Sequence, residues 1–268
     1  MSKLPFKKIL INGCSFVAGD EIVWNNFCKE VLQKNLPWLE NNYYVDYISY
    51  RKHHNLGAQI GQLLNCPVID LSFDGNSNTA IVLYTIKKIK ELSLNEINEL
   101  HVCIGWTAHS RRLKWSTEQG FQNIHHNHYD DTRFVNLHSY IEEEIIKNTV
   151  YDHTLNFIQN VMLLENFLIR HNITYTFWLS FTNWPKDDLQ TLRDNLRRVI
   201  DIDKVSDPKN WLVLDRNDEI SMFGESWVKW CDSIPNGYIS SKNNHPSMLS
   251  VSKLALEITK NISSRFLN

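Results

Sequence analysis

The chain has 268 residues, 43% of them apolar, with a formal net charge of -2 at pH 7 and a pI near 6.6. That length and apolar share suffice for one large α/β domain spanning 1–268. The near-neutral balance gives no overall pull toward nucleic acid or an anionic membrane, so neither is expected as a partner.

Five cysteines, Cys14, Cys28, Cys66, Cys103 and Cys231, form an odd set without a CxxC pair. This points to reduced thiols in a cytosol-like compartment rather than a disulfide framework. Met1 to Lys8 is basic, but the apolar stretch after it is too short for a secretory leader, and no apolar run reaches the length that spans a bilayer. The chain is therefore expected to be soluble and cytoplasmic. Nine Trp make the chain rich in aromatics, which suit core packing and sugar or base stacking alike.

In chain order, short apolar or β-branched runs predict strands at Lys8 to Ile11, Pro67 to Leu71, Glu99 to Ile104, Thr174 to Leu179 and Trp211 to Leu214. Between them, helical spacing marks Gln59 to Leu64, Asn78 to Leu92, Tyr151 to Arg170 and Met248 to Ile262, with a small helix around Trp227 to Cys231. Strand-helix alternation of this kind predicts a parallel sheet with helices on both faces and a site at the carboxyl ends of the strands. The stretch 109–148, rich in His, Asn, Arg and Glu, shows no sustained period. It is expected to be an insertion or lid, mainly helical or irregular.

Two segments carry the best clue to chemistry. Asn12-Gly13-Cys14-Ser15-Phe16 follows the first strand directly and presents a serine at a strand-to-loop turn. Asn243-Asn244-His245-Pro246 opens the last helix and offers a base. A serine hydroxyl becomes a useful nucleophile only when a base takes its proton, and a sharp turn after a strand can hold it exposed. Taken singly, each segment has a plainer reading, a simple turn for the first and a helix start for the second.

Four segments, KILINGCSFVAGD, VIDLSFDGNSNTAI, VCIGWTAHSRR and NNHPSMLSVSKLALEI, resemble in order and spacing the conserved blocks of the SGNH (GDSL-like) hydrolases, in particular the divergent versions found in bacteriophages. The resemblance spans most of the chain. It implies a three-layer α/β sandwich around a central, mostly parallel five-stranded sheet of flavodoxin-like order. It also implies a serine esterase or acyl hydrolase cleaving an O-acyl ester, with carbohydrate O-acetyl groups as one target, and working without cofactor or metal. A phage-encoded version would act in the host cytoplasm or the virion.

Carried over position by position, Ser15 is the nucleophile and His245 the acid-base. The oxyanion donors would be the amides of Ser15 and Gly75. Where the family pattern has G-x-N-D, this chain has Gly105-Trp106-Thr107-Ala108, so Thr107 stands as the oxyanion candidate at the asparagine position, with a shorter side chain, and Asn78 or Asn76 could supply a substitute amide. Lys242 stands where the family has the acid three residues before the histidine, leaving Asn243, Asn244 or Asp232 to orient the ring. Arg111, with Arg112, and Trp106 are candidates for substrate binding. Cys14 is a rival nucleophile, but consecutive side chains point in opposite directions at such a turn, and the resemblance favours Ser15.

Three other readings remain. An acyltransferase would use the same Ser/His pair, and a binding or structural protein would keep the fold without the chemistry. A metal-dependent hydrolase built on His125-His126-Asn127-His128-Tyr129-Asp130-Asp131 ranks last, since that spacing matches no metal motif and reads better as a polar loop. The expected partner is a small-molecule or glycan ester.

Overall fold

The computed structural model describes residues 4–19, 23, 27–33, 44–116, 120–124, 129, 136–180, 194, 197–198, 206–214, 226–238 and 246–266. Its centre is a four-stranded parallel sheet. The strands are β1 (Lys8–Gly13), β2 (Val68–Asp70), β3 (Leu100–Trp106) and β6 (Thr174–Leu179), in the order β2-β1-β3-β6. Ile9 pairs with Val68 on one side and with His101 on the other, and Cys103 pairs with Thr176.

Strand alternation sorts the apolar side chains into two layers. Leu10, Val102, Ile104, Trp106, Tyr175, Phe177 and Leu179 face α4 (Asn78–Lys90) and α7 (Val150–Arg170), meeting Ile81, Ile89, Phe157, Val161 and Leu164. Ile9, Ile11, Cys103 and Trp178 face α3 (Leu56–Leu64) and α9 (Met248–Phe266), meeting Ile60, Val251, Leu254 and Ile258. Helix starts follow local chemistry: Ser77 caps α4 by accepting from the Ala80 amide, and Thr149 with Asp152 forms a capping box at α7. Among the described residues, no helix is long and apolar enough to cross a membrane.

The sequence predicts a fifth strand at 211–214, and here the structure differs. Trp211 makes a single parallel bridge to Phe177, and the Leu212 amide donates to the Phe177 carbonyl at 2.8 Å. Two residues earlier on the same edge, the Tyr175 carbonyl accepts instead from Arg265 Nη2 of α9 at 3.0 Å. The guanidinium thus takes the carbonyl on the amino-terminal side of the bridge, and beyond Leu212 no further backbone bond joins 213–214 to β6 among the described residues. Further helices appear that the periodicity did not indicate, α2 (Tyr44–His54) and α5 (Leu94–Asn98) among them.

The stretch expected to be mainly helical or irregular begins with an antiparallel hairpin, β4 (Arg112–Ser116) with β5 (Gly120–Ile124), in which Leu113 pairs with Asn123 and Trp115 with Phe121. Short α6 (His138–Ile141) and a π-helical turn (Glu142–Ile146) follow. Ile124, Leu137, Ile141 and Ile145 form a small core of their own. Five-residue strands with charges and amides between their apolar positions leave too short an alternation to stand out in the sequence.

One packing detail governs the sheet's carboxyl end. Gly13 of β1 pairs with Gly105 of β3, and the Val17 side chain lies over both. A Cβ on Gly13 would stand 2.7 Å from Val17 Cβ, and one on Gly105 2.5 Å from Val17 Cγ2 and 2.8 Å from the Trp178 ring. Gly105→Ala should therefore overpack this junction and cost about 1–3 kcal/mol. A urea titration should show a lower midpoint with an unchanged slope.

Candidate active site

β1 ends at Gly13, Cys14 remains extended as the N-cap, and Ser15 is the first residue of α1 (Ser15–Ala18), which Gly19 closes in the left-handed region at φ 70°. The turn buries Cys14 completely, whereas Ser15 keeps 6% of its surface. The Ser15 hydroxyl makes no hydrogen bond to any described residue. At the first helical position its backbone N–H has no helical acceptor, and none of the described residues supplies one.

The loop after β2 docks onto this turn. The Gly13 carbonyl accepts from the Phe73 amide at 3.2 Å and from Asn76 Nδ2 at 3.0 Å, so Gly75 lies between two residues anchored beside Ser15. Gly75 has φ 74°, where side chains are strained, and no described atom stands within 4 Å of where a Cβ would be. Its amide, like that of Ser15, has no acceptor among the described residues.

Asn12, which the sequence reading did not single out, organises the same end. Its Nδ2 donates to the Ile81 carbonyl at 3.1 Å and to Thr85 Oγ1 at 3.0 Å. Its Oδ1 accepts from the Gly13 amide at 2.8 Å and from Asn76 Nδ2 at 3.4 Å. The sequence signal was an amide at the end of an otherwise apolar strand, where a buried polar group must find partners.

Asn78 is fully occupied. Its Oδ1 accepts from the Thr107 amide at 2.9 Å, and its Nδ2 donates to the carbonyls of Thr107 at 3.1 Å and Ala108 at 3.4 Å. It clamps the loop leaving β3, which corrects the expectation of a free oxyanion amide. Asn76 is equally committed, through Gly13, Asn12 and Asn123. Thr107 is buried, with its hydroxyl unpaired among the described residues.

Trp106 also needs correction as a substrate-binding candidate. Its ring is enclosed in the core, edge-on to Phe157 and Phe177 at centroid distances of 5.8 and 5.4 Å, because it falls on the α7 face of β3. Arg111 turns its Nη1 to the Asn76 carbonyl at 3.4 Å. Arg112 is tied to the His109 carbonyl at 2.8 Å and to His153 Nδ1 at 2.7 Å.

At the other end of the chain, the Tyr238 hydroxyl lies between the Val228 carbonyl and Asp232 Oδ1, the latter at 2.7 Å, and Tyr238 bridges Pro246 in antiparallel fashion. The Gly237 carbonyl receives the Ser247 amide and the Ser250 hydroxyl, each at 2.7 Å, fixing the start of α9. His245, Asn243 and Asn244, with Lys242, lie outside the described residues, as do His125 to His128, Asp130 and Asp131. Among the described residues, no cluster of three or more His, Cys, Asp or Glu is placed to hold a metal ion. A cavity of about 680 Å³ lined by Asn172, Tyr175, Lys209, Asn210 and Arg265 lies at the amino end of β6, whereas Ser15 follows the carboxyl end of β1.

No family model matches the chain, and no curated protein matches it. Among solved structures, a protein assigned to the G-D-S-L lipolytic family from Desulfitobacterium hafniense DCB-2 aligns at 13% identity and a TM-score of 0.44, over 95% of this chain and 99% of its own. A protein assigned as a GDSL-like lipase from Parabacteroides merdae ATCC 43184 aligns at 14% identity and a TM-score of 0.42, over 98% of each chain. Likeness of this degree decides neither family nor activity.

Beside the site, His153 links the hairpin to α7. Its Nε2 faces the Ile145 carbonyl at 3.0 Å, which can only accept, and its Nδ1 faces Arg112, which can only donate. Both contacts require the neutral ring. Burial, followed by Arg112, holds His153 below the usual 6.5, and burial, His153 and Arg112 bring His109 down to about 3. The folded state therefore binds fewer protons than the unfolded chain below the ordinary histidine range. The stabilisation is complete above about pH 6.5 and should drain away as pH falls toward 3. Urea midpoints between pH 7 and pH 4 should decline with acidity, and less steeply in His153→Gln, whose amide can make both contacts without titrating.

Proposed function

We propose that the chain is an SGNH-like serine hydrolase that cleaves an O-acyl ester through an acyl-enzyme on Ser15. What supports this reading most is the pairing of Ser15 with Gly75. Two backbone N–H groups with no acceptor among the described residues are held on adjoining loops at the carboxyl end of the sheet, beside a hydroxyl that likewise has no partner among them. Such amides, fixed before substrate arrives, are what a developing oxyanion requires.

In the proposed reaction, Ser15 Oγ attacks the ester carbonyl while His245 takes its proton, and the tetrahedral oxyanion is held by the amides of Ser15 and Gly75. Collapse breaks the bond to the alcohol, which leaves with the proton from His245. Water then repeats the sequence to free the acid and restore Ser15. Asp232 is the proposed partner for the His245 ring, since its carboxylate adjoins the Tyr238–Pro246 bridge. The same geometry would serve an acyltransferase when an alcohol replaces water. One observation favours a binding protein instead: the Asn76 and Asn78 amides are spent on the protein's own loops, so neither completes the oxyanion site.

A fluorophosphonate probe and p-nitrophenyl acetate distinguish these. Ser15→Ala should abolish labelling and lower turnover by at least about 1000-fold, as should His245→Ala for turnover, whereas Cys14→Ala should retain both. Activity should survive a chelator. Absence of labelling in the native chain, or labelling that persists in Ser15→Ala, overturns the hydrolase.

A further inference from the structure

The β4–β5 hairpin and the residue before it are joined to the Gly75 loop by three hydrogen bonds. Asn123 Oδ1 accepts from the Ser77 amide at 2.9 Å, Asn123 Nδ2 donates to Asn76 Oδ1 at 3.3 Å, and Arg111 Nη1 donates to the Asn76 carbonyl at 3.4 Å. Asn76 and Ser77 are both fully buried, so water cannot readily replace these partners. From Asn76 the same chain of bonds runs on to Gly13 and Asn12, the residues from which Ser15 departs.

The consequence concerns the peptide just before Asn76. Gly75 sits at φ 74°, with open space on its Cβ side and no hydrogen bond of its own N–H among the described residues. The Asn76 amide closes a turn onto the Phe73 carbonyl at 3.3 Å, with Gly75 at its third position, where a left-handed φ favours glycine. The direction of the Gly75 amide is therefore set by that turn and by what holds its two ends, the Gly13 carbonyl at Phe73 and Asn76 and, from the other side, Asn123 at Asn76.

We infer that Asn123 is a positioning residue that aims the Gly75 amide at the reacting carbonyl, making the hairpin a brace for the oxyanion site. This rests on the hydrolase reading above. Removing the brace leaves the donor present but loosely aimed. It should therefore reduce stabilisation of the transition state, in which the oxygen carries charge, far more than binding of the neutral ester.

The test uses the full chain, p-nitrophenyl acetate as substrate, and fluorophosphonate titration of Ser15 to count competent sites, so that kcat refers only to folded enzyme. Asn123→Ala should lower kcat on the order of 10- to 100-fold, the range expected when a catalytic group is misplaced rather than removed. KM should stay within about twofold, the pattern of an interaction made only in the transition state. Asn123→Asp, which keeps an acceptor for the Ser77 amide but sets a carboxylate oxygen against Asn76 Oδ1, should also lower kcat. Asn123→Gln, carrying the same amide on a longer arm, should recover part of the loss. Unchanged kcat per titrated site in both Asn123→Ala and Asn123→Asp, with Ser15-dependent turnover intact, overturns the positioning role and leaves the hydrolase standing. A KM rise with kcat preserved overturns it as well. A native chain without any Ser15-dependent turnover overturns both.

Discussion

A buried amide must have its hydrogen bonds made inside the protein, and at the end of β1 this requirement falls on Asn12. With no water to replace a lost partner, each unsatisfied group there would cost about 1–3 kcal/mol. Asn12 meets the demand by drawing three elements together, α4 through Ile81 and Thr85, its own strand through Gly13, and the loop after β2 through Asn76. That loop cannot shift without breaking a buried bond. Ser15, two residues beyond Gly13, therefore leaves the sheet from a fixed point, and the Gly13–Gly105 pair gives α1 room to turn back across the strand ends.

How legible this was in the sequence depended on the range of the forces involved. Thr174 to Leu179 was readable as a strand because burial on both faces makes its apolar run nearly continuous, and α7 was readable from its spacing over six turns. The stretch 211–214 looked equally strand-like, yet its pairing with β6 is a single bridge at Trp211, and how far a ladder runs depends on the partner strand, which no local pattern carries. The hairpin escaped notice because its strands are short and one of its important residues, Asn123, acts through an amide rather than through burial. At the site, Ser15 could be singled out from its turn context, whereas Gly75 was marked only by the resemblance of its segment to a family block. The occupation of Asn78 by Thr107 and Ala108 could not be singled out, since it depends on the distance between two loops.

The grip of Asn78 organises this end of the sheet whatever the side chain at position 107, because it is made to the backbone amide and carbonyl of that residue. Under the proposed hydrolase reading the oxyanion donors are backbone N–H groups, whose placement is no better than that of the loops bearing them. In such a site, the residues that hold the loops matter nearly as much as those that face the substrate.

The acid position follows a related logic. A carboxylate orients an imidazole by proximity and direction, and its distance along the chain is immaterial, as the differing residue orders of serine hydrolases on unrelated folds illustrate. Lys242 removes the acid from its usual spacing. Asp232 lies on the turn after α8 (Trp227–Trp230), whose Trp227 and the adjoining Cys231 pack in the same cluster as Phe16 and Val17 of α1. The segment beyond it is bound back by the Gly237 carbonyl and the Tyr238–Pro246 bridge. The Tyr238 hydroxyl lies against only one carboxylate oxygen of Asp232, so the other retains its capacity to accept. Under the proposed hydrolase reading, an acid held in this way, by packing that already joins the two ends of the chain, would stand in for one supplied three residues upstream.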